Sequence, residues 1–143
     1  MKNILIPVDG SEYSMKAITA AKELAKVFGG KVTILNVVPL EVNPGIGRGH
    51  YMYVPTPTNE IPDYSADILA DAKKQFQDTD IQVETLCKHG LTSDIIVDIA
   101  HGSDIDLVVM GSHGLGALTN RLMTGSVTTR VLHHIDKPVL VIK

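Results

Sequence analysis

A short apolar run that ends in a polar turn lies near the start of the chain: residues 3–11 are NILIPVDGS. A continuous apolar run of this length is typical of a strand that is buried on both faces of a parallel sheet. The polar DGS ends the strand, and Ser11 is a favoured residue for capping a helix that follows. From there to Phe28 apolar residues recur every three or four positions, which predicts an amphipathic helix that stops at Gly29.

Strand and helix patterns continue to alternate along the rest of the chain. This alternation indicates the α/β class, with one doubly wound sheet of five parallel strands and helices on both faces. In such folds ligands bind beyond the carboxyl ends of the strands. The later predicted strands are residues 31–38, 81–85, 106–110 and 138–143, and the later predicted helices are residues 63–77, a short one around residues 95–100, and residues 126–134. The strand over residues 81–85 alternates apolar and polar side chains, so we expect it near an edge of the sheet.

The stretch from residue 39 to residue 62 has a different composition. It holds five of the seven prolines of the chain, together with several glycines. Loops of this length in compact domains are usually functional or mobile segments. We therefore predict a long Pro/Gly-rich loop here, without a helix or strand, inside a single domain that covers residues 1–143.

Length and charge narrow the function classes. A chain of 143 residues has the usual size of one domain, and its formal net charge of −3 argues against a nucleic-acid-binding or membrane-surface protein. It holds no apolar run of the roughly 18 residues that span a bilayer. The single cysteine excludes an internal disulfide and suits a reducing, cytoplasmic setting. We expect Cys87, at the end of its predicted strand, to be an inert thiol.

A glycine-bearing segment follows the fourth predicted strand. Gly111 and Gly114 leave that strand, and Gly125 and Ser126 stand at the start of the next predicted helix. Glycines allow the backbone to approach an anion closely, and a helix N-terminus attracts phosphate. The alternative is that the glycines only turn the chain and that Ser126 only caps the helix. The segment is neither a P-loop nor a dinucleotide fingerprint, because it lacks the lysine of the former and the position of the latter.

Five short motifs together resemble those of a known family. They are ILIPVDGS (residues 4–11), LNVV (35–38), MGSHG (110–114), GSV (125–127) and KPVLVI (137–142). On these motifs the whole chain resembles the universal stress proteins of the small, single-domain kind. The resemblance implies an adenine nucleotide alpha hydrolase-like fold with strand order 3-2-1-4-5. The ATP-binding branch carries G-x2-G-x9-G-[S/T], whereas ten residues separate Gly114 from Gly125 in this chain, one more than in that pattern.

The same resemblance implies a nucleotide site for ATP, ADP or AMP, with or without Mg²⁺. Asp9 would bond the ribose hydroxyls, and the backbone of Val37 would contact the edge of the adenine. The two glycines after the fourth strand would approach the ribose and phosphates, and backbone N–H groups of residues 125–127 would bind the phosphates. The implied nucleotide-binding residues are Pro7, Val8, Asp9, Val37, Met110, Gly111, Gly114, Gly125, Ser126 and Val127.

The final apolar strand indicates a partner. An apolar edge strand invites pairing with another chain, and the resemblance implies a homodimer through Val139–Ile142. The alternative is that this strand lies inside the sheet of a monomer. The function implied is that of a dimeric, ATP-binding sensor or regulator of the stress response. One alternative is a nucleotide-free dimeric interaction module of the same fold. Another is a very slow ATPase, or a protein that phosphorylates itself on Ser126 or Thr124.

One histidine lies inside the glycine-bearing segment. His113 could contact a phosphate or a metal-bound water, but we expect a surface loop histidine without a catalytic role.

Overall fold

Strands and helices alternate along most of the chain, as the sequence predicts. The computed structural model describes residues 2–39, 41–44, 51–54, 60–102, 104–114 and 125–143. Its strands are β1 (Asn3–Pro7), β2 (Lys31–Pro39), β3 (Glu41–Pro44), β4 (Tyr51–Val54), β5 (Val83–Gly90), β6 (Leu107–Gly111) and β7 (Val139–Ile142). Its helices are α1 (Glu12–Phe28), α2 (Asp63–Lys74), α3 (Thr92–Gly102) and α4 (Ser126–His134).

Five of the strands form one parallel sheet in the order β5-β2-β1-β6-β7. When the short β3 and β4 are left out of the count, this is the predicted order 3-2-1-4-5. The first strand of the chain lies at the centre, and its residues Ile4, Leu5 and Ile6 are fully buried. A strand covered on both faces has no solvent side, which explains its unbroken apolar run.

Helices cover both faces of this sheet, which confirms the predicted doubly wound α/β class. On one face Leu69 of α2 packs in a cluster with Ile34 and with residues of α1. On the other face Ile96 of α3 and Val131 of α4 pack with Leu35. Neighbouring residues of β2 thus enter opposite cores, as the alternation of side chains along a strand requires. No helix among the described residues combines the length and apolar character that crossing a membrane requires.

Both predicted ends of the first helix are confirmed. The Ser11 hydroxyl oxygen accepts a hydrogen bond from the Ser14 N–H at 3.2 Å, as a serine N-cap should. At the other end Gly29 has φ +63°, and its N–H bonds the Ala25 carbonyl. This left-handed backbone favours glycine and ends the helix.

The prediction of a loop without elements over residues 39–62 was wrong for part of the stretch. The strands β3 and β4 form an antiparallel hairpin there, with Glu41 opposite Val54. The YMYV sequence of β4 is rich in residues that favour strands, but the surrounding prolines and glycines obscured that signal. Residues 40, 45–50 and 55–59 lie outside the described part of the chain.

Two predicted boundaries also moved. The strand predicted over residues 81–85 instead covers Val83–Gly90 as β5. Its Gly90 pairs with Pro39, and Cys87 therefore lies inside the strand. The second helix ends at Lys74 rather than at residue 77, although Phe76 beyond it is buried and prolongs the apolar spacing. The long pairing with β2 sets the end of β5, and periodicity along β5 itself does not show it. Its predicted place at a sheet edge is confirmed.

Candidate functional site

A cavity of about 550 Å³ opens at the carboxyl ends of β1, β2 and β6. The central strand has β2 on one side and β6 on the other, so the chain order reverses at this place. Such a switch point leaves a crevice between the connections that run to opposite faces. The volume falls within the range of small-molecule sites, roughly 300–1,000 Å³.

All ten residues that the sequence predicted for a nucleotide site line this cavity. The structure thus brings together residues from positions 7 to 127 of the chain. Their side chains are segregated by type. The walls from β2, α2 and α3 are largely apolar, whereas the strand ends after β1 and β6 and the start of α4 present a carboxylate, hydroxyl groups and backbone. Further lining residues that sequence reasoning did not select are Ser14, Leu35, Asn36, Pro39, Tyr64, Ile68, Thr92, Ile96, His113 and Thr128.

Asp9 directs its carboxylate toward the glycine-bearing segment. One oxygen, Oδ1, accepts a hydrogen bond from the Ser11 N–H at 2.9 Å, so the turn after β1 orients the side chain. The other oxygen faces Gly114, where an added Cβ atom would lie 2.7 Å from Asp9 Oδ2. Glycine at residue 114 is therefore what lets the backbone of this segment approach the carboxylate.

Two more glycines are needed for close approach. A Cβ atom at Gly111 would lie 2.7 Å from the Tyr13 Cβ and 2.9 Å from the Tyr13 carbonyl carbon. A Cβ atom at Gly125 would lie 3.1 Å from the Ser112 oxygen. The first contact brings the end of β6 against the first turn of α1. The second contact brings the start of α4 against the segment after β6.

The Gly125 N–H already has an acceptor within the protein. It donates to the Ser112 carbonyl at 2.6 Å, which differs from the predicted contact between this N–H and a phosphate. Gly125 therefore closes the segment after β6 onto the helix. The donors that the helix offers to the cavity begin one residue later.

The N-terminus of α4 presents these donors. Its N-cap is Gly125 rather than Ser126, so the capping role considered for Ser126 was wrong, and no side chain caps the helix. The first backbone bond of the helix runs from the Thr129 N–H to the Gly125 carbonyl at 2.9 Å, so the N–H groups of residues 126–128 have no acceptor within the helix. The Thr128 hydroxyl donates to the Gly111 carbonyl at 2.9 Å and fixes the helix start to the end of β6.

Asn36 is a site residue that sequence reasoning missed. It is only 3% exposed, and its Nδ2 donates to the Val8 carbonyl at 2.8 Å, which joins the ends of β1 and β2 beneath the cavity. Because that carbonyl can only accept, the amide orientation is determined, and Oδ1 has no hydrogen-bond partner among the described residues. The signal in the sequence that could have identified this residue is its amide side chain within the otherwise apolar run ILNVV.

Cys87 lies apart from the cavity lining, on β5. Burial raises the pKa of its thiol, and the neighbouring Ser65 hydroxyl offsets part of that effect. A raised pKa keeps the thiol protonated near neutral pH, which agrees with the predicted lack of reactivity.

In the described ranges no three His, Cys, Asp or Glu side chains come together as metal ligands. Thr124 and the additional residue between Gly114 and Gly125 belong to residues 115–124, outside the described part.

Comparison with known proteins gives matches over the full chain. A family model described as the universal stress protein family matches residues 1–143. A universal stress protein of Synechocystis, Sll1654, is 34% identical, over 99% of this chain and 85% of its own. Another, MJ0531 of Methanocaldococcus jannaschii, is 32% identical, over 99% of this chain and 82% of its own.

Solved structures have the same fold. The M. jannaschii protein MJ0577 superposes with a TM-score of 0.79 at 26% identity, over 99% of this chain and 95% of its own. A universal stress protein in complex with cAMP gives a TM-score of 0.71 at 22% identity, over 99% and 96% of the two chains. One from Archaeoglobus fulgidus in complex with dAMP gives 0.69 at 23% identity, over 100% and 98%.

Proposed function

Because the chain belongs to the universal stress protein family, we propose that it binds an adenine nucleotide (ATP, ADP or AMP) in the cavity at the carboxyl ends of β1, β2 and β6. The observation that carries the proposal is the approach of Gly114 to the Asp9 carboxylate beside the uncapped start of α4. A carboxylate able to accept from ribose hydroxyls thus lies next to N–H groups able to donate to phosphates, which supports the proposal. Two proteins of the same fold were solved with cAMP and with dAMP, which supports this class of ligand.

The phosphates are assigned to the start of α4. The N–H groups of residues 126–128 lack helical acceptors, and the positive end of the helix dipole attracts anions. The exposed Ser126 hydroxyl adds a donor at the same place. If Mg²⁺ accompanies the nucleotide, the phosphates themselves would supply much of its coordination, as they do in many nucleotide sites.

The base is assigned to the other end of the cavity. Apolar side chains of β2, α2 and α3, such as Leu35, Ile68 and Ile96, offer flat contact to an aromatic ring. Val37 lies on β2 between these walls, where its backbone N–H and C=O can bond the polar edge of an adenine. The ribose then lies between base and phosphates, within reach of Asp9.

The biological role that we propose is that of a regulator whose state depends on the bound nucleotide, acting in the stress response in the cytoplasm. Binding, rather than rapid turnover, is the activity that this set of residues favours. The groups assigned to the nucleotide contact its base, its ribose and its phosphates. Fast phosphoryl transfer would in addition need a group that orients the attacking nucleophile.

Isothermal titration calorimetry with ATP and adenosine tests the binding site. We expect saturable ATP binding to the unmodified chain and a loss of about 10- to 100-fold in affinity for Asp9→Asn, because hydrogen bonds to charged groups contribute about 1.5–3 kcal/mol. The control is Asp98→Asn, which removes an exposed carboxylate of α3 away from the cavity and should bind as the unmodified chain does. Absence of ATP binding would overturn the proposal and favour the nucleotide-free interaction module.

We also propose that the protein is a homodimer paired through β7. This strand is at one edge of the sheet, carries four apolar residues, and leaves Leu140 37% exposed. A second copy would cover that edge. Sedimentation velocity should show a dimer that Leu140→Lys weakens and Leu132→Lys, on the exposed face of α4, does not. A monomer at micromolar concentration would overturn this part.

A further inference from the structure

The charges of the described residues that line the cavity do not balance the negative charge of the proposed ligand. Among the described residues that line it, Asp9 is the only carboxylate, and His113 is the only side chain able to carry a positive charge. An adenine nucleotide brings several negative charges to the same space. The dipole of α4 supplies only about half an elementary charge, so a further positive charge near the phosphates would strengthen binding.

His113 lies where the phosphates are assigned. An added Cβ atom at Gly125 would be 3.3 Å from the His113 Cα, so the histidine backbone lies against the start of α4. His113 is one of the residues that line the cavity, together with Ser126. The histidine therefore lies on the same side of the cavity as the positive end of the helix.

The ring is held in place rather than extended into solvent. Its Nδ1 is 2.8 Å from the hydroxyl of Ser112, a residue that is only 2% exposed. On another side, the ring centroid lies 5.0 Å from that of Tyr13 in the first turn of α1. These two contacts hold the ring against the protein, whereas the sequence favoured a surface loop histidine without a catalytic role.

In the described part of the chain, charged groups close to these contacts come from the end of β1 and from α1. From the end of β1, Asp9 faces the same segment through Gly114. From α1, Tyr13 contacts the ring. The Lys16 Nζ lies 5.4 Å from the centroid of the Tyr13 ring and 3.2 Å from Glu12 Oε1. Among the described residues that line the cavity, the start of α4 and its N-cap contribute uncharged residues, which are Gly125, Ser126, Val127 and Thr128.

We propose that His113 is a phosphate-binding residue that makes nucleotide affinity depend on pH. The imidazolium pairs with the phosphates, so binding takes up a proton and strengthens as the pH falls from 8 to 6. Imidazole is the side chain whose charge ordinarily changes within this interval. The inference rests on the proposed nucleotide site and adds to it a regulatory property.

Calorimetric titration of ATP at pH 6, 7 and 8, in buffers with different ionisation enthalpies, measures affinity and proton uptake together. The test variant is His113→Asn, whose amide can still bond Ser112 but carries no charge. The control is His133→Asn, at the exposed far end of α4. Because ATP itself changes charge in this interval, the informative quantity is the difference between the unmodified chain and the variant.

Between pH 8 and pH 6 we expect the ratio of the ATP affinity of the unmodified chain to that of His113→Asn to rise about fivefold to tenfold. Binding to the unmodified chain should take up protons, and the variant should lose this uptake. His133→Asn should match the unmodified chain, and adenosine should show no difference between the chains. Thermal unfolding checks that the variant is folded, and His113→Gln replaces it if it is not.

Two outcomes would contradict the inference, and they are distinguishable. If ATP binds His113→Asn with the same affinity, pH dependence and proton uptake, the role of His113 is overturned while the nucleotide site stands. If ATP binds the unmodified chain at none of the three pH values, the proposed function fails and this inference fails with it.

Discussion

The turns that follow β1 and β6 lie side by side and are built differently. After β1, side chains form the turn, since Asp9 accepts from the Ser11 N–H and the Ser11 hydroxyl accepts from the Ser14 N–H. After β6, the backbone itself is in close contact with its neighbours at Gly111 and Gly114. The first turn depends on which polar atoms are present, and the second depends on the absence of a side chain. Substitutions should therefore have different effects in the two turns.

The largest effect on stability is expected at the end of β6. In Gly111→Ala the new methyl group would meet the Tyr13 Cβ and its backbone, so α1 must shift. We expect the free energy of unfolding to fall by about 1–3 kcal/mol, the usual cost of overpacking, as measured by urea denaturation. Gly102→Ala is the control, because an added Cβ meets no atom within 4 Å there. Equal stabilities of the two variants would show that the contact at Gly111 is not a constraint.

The next effect concerns binding. In Gly114→Ala the methyl group would displace the Asp9 carboxylate, a flexible side chain, so the cost in stability should be smaller than at Gly111. We expect ATP affinity to fall about tenfold by calorimetry, because one charged hydrogen bond to the ribose is lost. Unchanged affinity would mean that the ribose does not depend on the orientation of Asp9.

A smaller effect is expected in the turn after β1. Ser11→Ala removes the N-cap of α1 and should lower the free energy of unfolding by about 1 kcal/mol, whereas Ser11→Gly should cost only a few tenths. Thermal unfolding resolves this order of stabilities. ATP affinity should stay unchanged in both variants, since the backbone N–H that orients Asp9 remains. Reversal of the order would show that the Ser11 hydroxyl does not cap the helix.

The smallest effect is expected at the opposite ends of the same two strands. The N–H groups of Asn3 and Lys2 hold the pKa of the Asp106 carboxyl below its ordinary value of 3.8. A carboxyl whose pKa is lowered by folding stabilises the folded state at pH values above its ordinary pKa. This stabilisation is lost as the pH falls through the lowered pKa. The thermal midpoint of Asp106→Asn should be slightly below that of the unmodified chain at pH 7, and the difference should shrink toward pH 3. A difference that is independent of pH would contradict this account.

Local signals predicted much of the fold correctly. The apolar runs of β1 and β6 and the limits of α1 follow from burial and capping, which act between residues close in the chain. The end of β5 did not follow, because it depends on pairing with β2, some fifty residues away in sequence. The β3–β4 hairpin was missed because prolines nearby outweighed the strand-forming residues in the pattern.

The candidate site divides in the same way. The glycines were predicted from their position between a strand and a helix, and Asp9 from the family resemblance. Asn36, Tyr13 and Ser112 were not, because each acts through a neighbour that is distant in sequence or through burial. The residues next to a polar side chain in the sequence do not show that its partner will be a strand end or another ring.

The amino-acid sequence by itself determined the alternation of strands and helices, the family resemblance and the glycines that a close backbone approach requires. Only the tertiary structure decided that Gly114 lies against Asp9, that Gly125 rather than Ser126 caps α4, and that His113 stands at the start of that helix. The physical reason is range. Propensity and capping act over a few residues, whereas distances across a cavity are set by the packing of the whole sheet.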